Sequence, residues 1–213
     1  MHEEIADIRI NYSQKNLDES GVEKNAFDQF EKWWNEAVHS EISEVNAMTV
    51  ATVNNGVPNA RIVLLKAFDE RGFVFFSNYS SQKGGELKEN PNVCLVFFWK
   101  ELERQVRIVG VAEKTSVQES IDYFNSRPEG SKIGAWASAQ SLAVAGKGFL
   151  KETFDFYTER FKRGVIPKPP HWGGYRVKPS SIEFWQGRPS RMHDRLVYTL
   201  QKNGLWKIER LQP

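Results

Sequence analysis

The sequence predicts a β-rich α+β fold in which an antiparallel barrel carries helices at its periphery. Short apolar segments with strand character recur along the chain, and turn signals such as Asn-Gly separate them. Helical periodicity is confined to a few inserted segments. Because no G-x-G-x-x-G loop follows a predicted strand, a parallel dinucleotide-binding sheet is not expected.

The chain is predicted to begin with a polar arm at residues 1–24, and residues 25–213 are predicted to form a single domain. Asn25 is a suitable N-cap for a helix that extends to about residue 40. Apolar residues at helical spacing predict one face that packs in the core, formed by Phe27, Phe30, Trp33, Trp34, Ala37 and Val38.

Strands and short helices are predicted to alternate after this first helix. Asn54-Asn55-Gly56 is a strong hairpin turn between two of the strands. The predicted strands cover residues 48–53, 58–68, 73–77, 93–99, 104–113, 175–177, 181–186, 196–201 and 206–210. Helices are predicted from Ser80 or Ser81 to residue 90, from the Ser116 capping box to about residue 127, and over about 129–138 and 146–163.

Composition limits the classes of function that the chain can have. A net charge of +2 over 213 residues gives no basic excess, so a nucleic-acid partner is not expected. No apolar run approaches the roughly 18 residues of a membrane span, and the acidic N-terminus lacks a signal-peptide core, so we expect a soluble, cytoplasmic protein. The single cysteine, Cys94, excludes a multi-cysteine metal site and is expected to be buried and inert.

Residues 59–66 combine a dense aliphatic strand with a cation near each end, Arg61 and Lys66. Such a run is expected to be buried on both faces of a sheet. Because side chains alternate along a strand, the two cations should point to opposite faces, roughly 16 Å apart. They are interpreted either as rim charges that reach solvent or as two separate anion sites.

Together with residues 182–195, this segment resembles the pyridoxamine 5′-phosphate oxidase family. The shared motifs occur in order over about residues 9–211: R-I-V-L-L-K at 61–66, L-E-R-Q-V at 102–106, S-R-P at 126–128, I-G-A-W at 133–136, Q-S at 140–141, F-W-Q-G at 184–187 and R-x-H-D-R at 191–195. The resemblance implies an FMN-binding split β-barrel and a homodimer with the flavin at the subunit interface. It also implies an oxidase that converts pyridoxamine 5′-phosphate and pyridoxine 5′-phosphate to pyridoxal 5′-phosphate. Oxygen would accept the electrons and yield hydrogen peroxide, and the amine substrate would release ammonia.

The resemblance further implies which residues hold FMN. Arg61 and Lys83 would bind the phosphate, because arginine can hold it bidentately and lysine adds a point charge. The full set is Arg61, Ile62, Val63, Leu64, Leu65, Lys66, Phe76, Ser77, Gln82, Lys83, Gln105, Gln140, Ser141, Trp185 and Arg195. Gln82 stands where the family commonly has arginine, and the lost charge predicts weaker retention of FMN.

The phosphate of the substrate is assigned by the resemblance to Lys66, Tyr123, Arg127 and Ser131. Tyr123 and Arg127 are one helical turn apart and share a face, while Ser131 lies near a helix start, where anions are favoured. As alternatives, Tyr123 is a core aromatic residue and Arg127 a charge that complements the helix dipole.

The substrate ring is assigned by the same resemblance to the catalytic residues Arg191 and His193, with Met192 between them. If this segment is extended, Arg191 and His193 share one side. Arg9 and Tyr12 match an arm that closes over the site as a lid, although Ile10 stands where the family has a second arginine.

Two other functions are considered, a carrier or sensor that binds FMN or pyridoxal phosphate without turnover and a barrel that binds single-stranded nucleic acid. A carrier would not need Lys66, Arg127, Arg191 and His193, and all four are present. Near-neutral charge argues against the nucleic-acid barrel. The proposed chemistry needs no metal.

Overall fold

The computed structural model describes residues 11–213, so Arg9 of the predicted arm lies outside the described residues. The strands of the described residues are β1 (Ala47–Asn54), β2 (Val57–Leu64), β3 (Ala67–Asp69), β4 (Gly72–Asn78), β5 (Asn92–Trp99), β6 (Arg104–Lys114), β7 (Trp172–Gln186), β8 (Asp194–Leu200) and β9 (Trp206–Arg210). The α-helices are α1 (Ala26–Val38), α2 (Gln82–Glu89), α3 (Val117–Ser126), α4 (Glu129–Ala137) and α5 (Lys147–Phe161). Short 3₁₀ turns lie at Glu19–Gly21, Lys100–Leu102 and Pro189–Arg191.

The strands form one sheet in the order β2-β1-β5-β6-β7-β4-β3, with β8 paired to β7 and β9 paired to β8. The pairs β3–β4, β4–β7, β7–β8 and β8–β9 are all antiparallel. The predicted class, a β-rich α+β fold built on an antiparallel sheet, is therefore confirmed. Among the described residues, no helix has the length and apolar character to cross a membrane.

The chain divides into two compact units whose boundaries fall inside β1, β5, β6 and β7. The first unit contains the described chain up to Val50, together with Cys94–Gly110 and Pro179–Pro213. The second unit contains Ala51–Val93 and Val111–Lys178.

The core of the first unit is aromatic and centres on α1. Asn25 caps this helix as predicted, since its side chain accepts a hydrogen bond from the backbone N–H of Phe27 at 2.8 Å. The Trp33 ring packs edge-on against Phe184, with 5.2 Å between the ring centroids. Val38 was predicted to belong to the buried face, and this is wrong: the residue is 49% exposed at the last position of the helix.

The second unit begins with the predicted hairpin. Asn55 and Gly56 both have positive φ, at 49° and 78°, which is the conformation that a two-residue turn between twisted strands requires. The strand predicted at residues 58–68 is instead interrupted after Leu64, and the Lys66 N–H donates to the Val74 carbonyl at 2.8 Å. Burial on both faces is also wrong, because Ile62 is 65% exposed.

Two further expectations need correction. The segments predicted at 175–177 and 181–186 form one strand, β7, in which Pro179 lies between the residues that pair with β4 and those that pair with β8. Because Pro179 lies outside both of these registers, its missing N–H removes no hydrogen bond from the β4 ladder or the β8 ladder. Cys94 is only partly buried, although this burial raises the pKa of its thiol.

Candidate functional site

A cavity of about 1000 Å³ lies within the second unit. Most residues predicted to bind FMN or the phosphate of the substrate line it, namely Arg61, Ile62, Val63, Leu64, Lys66, Phe76, Ser77, Gln82, Lys83, Tyr123, Arg127, Ser131, Gln140 and Ser141. Leu65, which was also predicted to bind FMN, is not among the lining residues, and its side chain is 4% exposed. The volume is at the upper end of the range of roughly 300–1000 Å³ that is usual for ligand sites.

Lys83 is held in this cavity by the first turn of α2. Ser81 caps the helix and accepts a hydrogen bond from the Gly84 N–H at 3.3 Å. The buried Lys83 ammonium donates to the hydroxyls of Ser77 and Ser81 and forms no ion pair with a described carboxylate. Burial lowers the pKa of Lys83 to about 8; the nearby Arg61 acts in the same direction, and Glu86 opposes it.

Arg61 is oriented by Glu86, a carboxylate that sequence reasoning missed. Arg61 Nη2 lies 2.9 Å from Glu86 Oε2, and Arg61 Nη1 donates to the Thr52 hydroxyl. Glu86 is 2% exposed and also accepts hydrogen bonds from Thr52, from Asn59 at 2.8 Å and from Gln82 at 3.0 Å. Burial alone would raise the pKa of Glu86, but these hydrogen bonds outweigh it and leave the pKa below its usual range. The four-residue spacing of Gln82 and Glu86 on a predicted helix was the available signal.

The segment Gln140-Ser141 contacts the same end of the cavity. The Gln82 N–H donates to the Ser141 hydroxyl at 3.2 Å, and the Ser77 hydroxyl lies 3.5 Å from Gln140 Oε1. Both predicted residues are therefore beside the groups that surround Lys83.

Aromatic rings surround Arg127 in another part of the cavity lining. Its guanidinium lies 4.7 Å from the centroid of Trp172, a residue that sequence reasoning did not select. Nη1 of Arg127 is buried and has no hydrogen-bond partner among the described residues, and burial lowers the pKa of the guanidinium. Tyr123 is half-buried, and its ring stacks on Phe76 with 4.0 Å between the centroids. It packs against the core and also lines the cavity.

The expectation that Arg61 and Lys66 point away from each other across one strand is wrong. It required an unbroken strand, whereas β2 ends at Leu64 and β3 begins at Ala67. Both cations line the same cavity, and Ser131, in the first turn of α4, lines it as well.

The other predicted residues belong to the first unit, where three of them form a cluster of rings. The centroids of Trp185 and His193 are 4.6 Å apart, and Tyr12 lies 5.8 Å from Trp185 and 6.0 Å from His193. Arg195 pairs with Trp185 across β7 and β8 and donates through Nε to Glu183 at 2.8 Å. Gln105 is half-buried on β6.

The segment that carries Arg191 and His193 is not extended, contrary to expectation. Pro189 begins a 3₁₀ turn, since its ring fixes φ near a helical value, and Arg191 ends the turn with φ 62°. Arg191 is exposed, and Met192 is 67% exposed. His193 Nδ1 accepts the Arg188 N–H at 3.1 Å; burial, followed by the charge of Arg191, lowers its pKa. The imidazole is therefore neutral near pH 7 with its proton on Nε2.

Comparison with known proteins agrees with the family resemblance of the sequence motifs. The family profile described as pyridoxamine 5′-phosphate oxidase matches residues 34–158, and one described as the pyridoxine 5′-phosphate oxidase C-terminal dimerisation region matches residues 172–213. The pyridoxine/pyridoxamine 5′-phosphate oxidase of Nostoc punctiforme is 52% identical over 100% of both chains. The protein of the same name from Burkholderia mallei is 56% identical over 98% of this chain and 99% of its own.

Two solved structures have the same fold as this chain. PhzG from Burkholderia lata, crystallised with tetrahydrophenazine-1-carboxylic acid, aligns with a TM-score of 0.87 at 26% identity and covers 93% of this chain and 98% of its own. An FMN-binding protein related to pyridoxamine 5′-phosphate oxidase from Nostoc punctiforme aligns with a TM-score of 0.70 at 14% identity, covering 90% and 100% of the two chains, which supports the fold alone. From the profiles and from relatives that are more than half identical over the whole chain, it follows that this chain belongs to the pyridoxamine 5′-phosphate oxidase family.

Proposed function

We propose that this protein is an FMN-dependent oxidase that converts pyridoxamine 5′-phosphate and pyridoxine 5′-phosphate to pyridoxal 5′-phosphate. Oxygen is the acceptor, hydrogen peroxide is a product, and the amine substrate also releases ammonia. The observation that carries the proposal is the presence, in the lining of one cavity, of three cations that form no ion pair with a carboxylate among the described residues, Lys66, Lys83 and Arg127. The names of the relatives at 52% and 56% identity support the substrate class.

The residues around Lys83 fit the phosphate of FMN. A buried cation that contacts only hydroxyls is costly unless an anion compensates it, and a phosphate dianion would do so. Arg61 supplies a second cation, whose position Glu86 fixes. Ser77 and Ser141 supply hydroxyl donors, and Gln105, Gln140, Trp185 and Arg195 are assigned to the polar edge of the flavin ring. When bound, the flavin would accept the hydride and pass the electrons to oxygen.

The residues around Arg127 fit the second phosphate, that of the substrate. Nη1 of Arg127 is buried and has no hydrogen-bond partner within residues 11–213, and an unsatisfied buried donor of this kind costs free energy that a ligand oxygen would recover. Lys66, Tyr123 and Ser131 line the same cavity and complete this set.

The pyridine ring of the substrate is assigned to Arg191, Met192 and His193, with Tyr12 and Arg9 from the arm. A neutral His193 with a proton on Nε2 can donate a hydrogen bond to a ring substituent and adds no positive charge. The role of these residues is orientation of the exocyclic carbon, which is an effect of position rather than of bond chemistry.

The direct test is an anaerobic titration of the yellow protein with pyridoxamine 5′-phosphate. The proposal predicts that the flavin absorbance bleaches and that admitting air restores it with formation of peroxide. A protein that stays yellow throughout would not oxidise pyridoxamine 5′-phosphate, and a colourless, folded protein that gains no colour with added FMN would not be a flavoprotein.

Two variants test the division of the cavity between the phosphates. Arg61→Ala is expected to purify without flavin, whereas Arg127→Ala keeps its flavin but needs more pyridoxamine 5′-phosphate to bleach it. If both variants are folded and colourless, the division is wrong.

A different substrate is a specific rival, because PhzG aligns well and was crystallised with a tetrahydrophenazine carboxylic acid. That compound carries a carboxylate in place of a phosphate, so it would offer Arg127 a smaller negative charge than the proposed substrate does. Bleaching by tetrahydrophenazine-1-carboxylic acid and not by pyridoxamine 5′-phosphate would overturn the assigned substrate while leaving the oxidase class intact.

A further inference from the structure

Glu103 connects two distant segments of the first unit through its side chain and its backbone. The residue lies between the Lys100–Leu102 turn and β6 and is 7% exposed. Its carboxylate oxygen Oε2 accepts hydrogen bonds from the backbone N–H groups of Ser13 at 2.9 Å and Gln14 at 3.1 Å. The backbone carbonyl of the same residue accepts the Gly187 N–H at 2.7 Å.

The backbone conformation of Glu103 is unusual for its residue type. Its φ and ψ are 54° and 39°, the left-handed region that asparagine and glycine adopt more easily than glutamate. For this backbone conformation alone, asparagine or glycine would therefore be more favourable than glutamate. The hydrogen bonds of the carboxylate give a reason for a glutamate at this position.

Tyr12 packs closely against Gly187. It immediately precedes Ser13 and Gln14, whose N–H groups bond to Glu103. A Cβ atom built on Gly187 would lie 2.7 Å from Cγ of Tyr12, closer than non-bonded carbon atoms approach. The Tyr12 ring also lies against Trp185 and His193. The position of the Tyr12 ring thus depends on two features. The backbone after Tyr12 is hydrogen-bonded to Glu103, and Gly187 has no side chain that would displace the ring.

We propose that Glu103 is a positioning residue whose carboxylate fixes the backbone at Ser13 and Gln14, so that Tyr12 rests on Gly187 against Trp185 and His193. This inference rests on the proposed function, in which Tyr12 and His193 contact the substrate. Glu103 itself touches no reacting atom. Its effect is to pre-form one wall of the substrate site, so that substrate binding does not have to order the arm.

The main test is Glu103→Asn. Asparagine tolerates the left-handed conformation and leaves the carbonyl bond to Gly187 in place, but its side chain is shorter and uncharged. We expect a folded protein with normal flavin content, nearly unchanged kcat, and about a tenfold rise in KM for pyridoxamine 5′-phosphate, the size expected for losing charge-assisted hydrogen bonds that act only on binding.

Two matched variants isolate the carboxylate. Glu103→Gln keeps an acceptor at the same reach and should restore part of the lost affinity. Glu101→Ala removes a neighbouring exposed carboxylate. Among the described residues, Glu101 contacts the arm through its backbone carbonyl, which accepts a hydrogen bond from Gln14 Nε2 at 2.9 Å and which the substitution keeps. This variant should behave like the unmodified protein. Equal effects of Glu101→Ala and Glu103→Asn would overturn the proposal.

A double-mutant cycle with Tyr12→Ala tests whether Glu103 acts through Tyr12. If it does, Glu103→Asn raises KM in the unmodified protein but not in the Tyr12→Ala background, because the ring that it positions is gone. Gly187→Ala, which displaces the ring from the opposite side, should raise KM in the same direction. Additive effects of Glu103→Asn and Tyr12→Ala would contradict the proposal.

A readout that does not depend on activity separates this inference from the proposed function. Lys15 follows the two bonded residues directly, so trypsin should cleave after Lys15 faster in Glu103→Asn than in the unmodified protein or in Glu101→Ala. If trypsin cleaves all three proteins at the same rate, Glu103 does not hold the arm. If Glu103→Asn is cleaved faster but the unmodified protein does not oxidise pyridoxamine 5′-phosphate, the anchor stands and the proposed function fails.

Discussion

If Lys83 binds the phosphate of FMN as proposed, its protonation should make FMN binding depend on pH in an accessible range. Mainly because of burial, its pKa is about 8. A phosphate monoester keeps its second negative charge above about pH 7, since its second pKa is about 6. We therefore predict that the affinity of the flavin-free protein for FMN falls as the pH rises above about 8, because the lysine loses the proton that attracts the phosphate.

Quenching of FMN fluorescence on titration with the flavin-free protein, at pH 7 and at pH 9, measures this change. Lys83→Met should bind FMN more weakly and with little difference between the two pH values. The same affinity at both pH values in the unmodified protein would mean that Lys83 does not contact the phosphate.

Arg127 and Arg191 should have different kinetic effects, because one is assigned to a phosphate that does not react and the other to the reacting ring. Arg127→Ala removes an interaction that is the same in the ground state and the transition state, so KM should rise with little change in kcat. At about 1.5–3 kcal/mol for each charge-assisted hydrogen bond, the rise is roughly ten- to a hundredfold.

Arg191→Ala should lower kcat as well, since a misplacement of about 1 Å at the reacting carbon can cost on the order of a hundredfold in rate. Steady-state kinetics on both variants, each checked for bound flavin, measures the difference. If Arg191→Ala changes KM alone while Arg127→Ala reduces kcat, the ring and phosphate assignments are reversed.

Among the elements, α3 is expected to position the proposed substrate residues, because Tyr123 lies in this helix and Arg127 directly follows its last residue. Its N-terminus carries a complete capping box, in which the Ser116 hydroxyl accepts the Glu119 N–H at 3.1 Å and Glu119 accepts the Ser116 N–H at 3.0 Å. We predict that Ser116→Ala lowers the free energy of unfolding by about 0.5–2 kcal/mol.

Denaturant unfolding measures this loss, and Ser80→Ala is a matched control, since Ser80 is exposed and its hydroxyl has no hydrogen bond among the described residues. Equal stability of Ser116→Ala and the control would show that the box contributes nothing to α3.

The elements that sequence reasoning predicted correctly are those fixed by local chemistry. The Asn25 cap, the turn at Asn55-Gly56 and the Ser116 box each depend on residues within four positions of one another. The break at Leu65-Lys66 could not be read in this way, because it depends on a hydrogen bond to Val74 on another strand.

The residues of the candidate site also separate into those that sequence motifs predict and those that depend on contacts between distant segments. Arg61, Lys83 and Arg127 were selected from ordered motifs, and all three line one cavity. Glu86 was missed because charge complementarity does not lead one to expect a carboxylate beside a phosphate site. Its role depends on Thr52 and Asn59, which the strands β1 and β2 supply and which no local pattern connects to it.

For the whole molecule, the assembly state and flavin binding are predicted to be coupled. The family profile over residues 172–213 is described as a dimerisation region, and large apolar side chains such as Ile62 and Phe98 are 65% and 55% exposed in the single chain. A second subunit would bury such surface. We predict a homodimer with one FMN per chain that releases its flavin over the same dilution range in which the dimer dissociates. A cofactor bound at the interface would lose, in the monomer, the contacts that the second subunit supplies. Light scattering and flavin fluorescence along one dilution series measure both events, and a monomer that retains stoichiometric flavin would contradict an interface site.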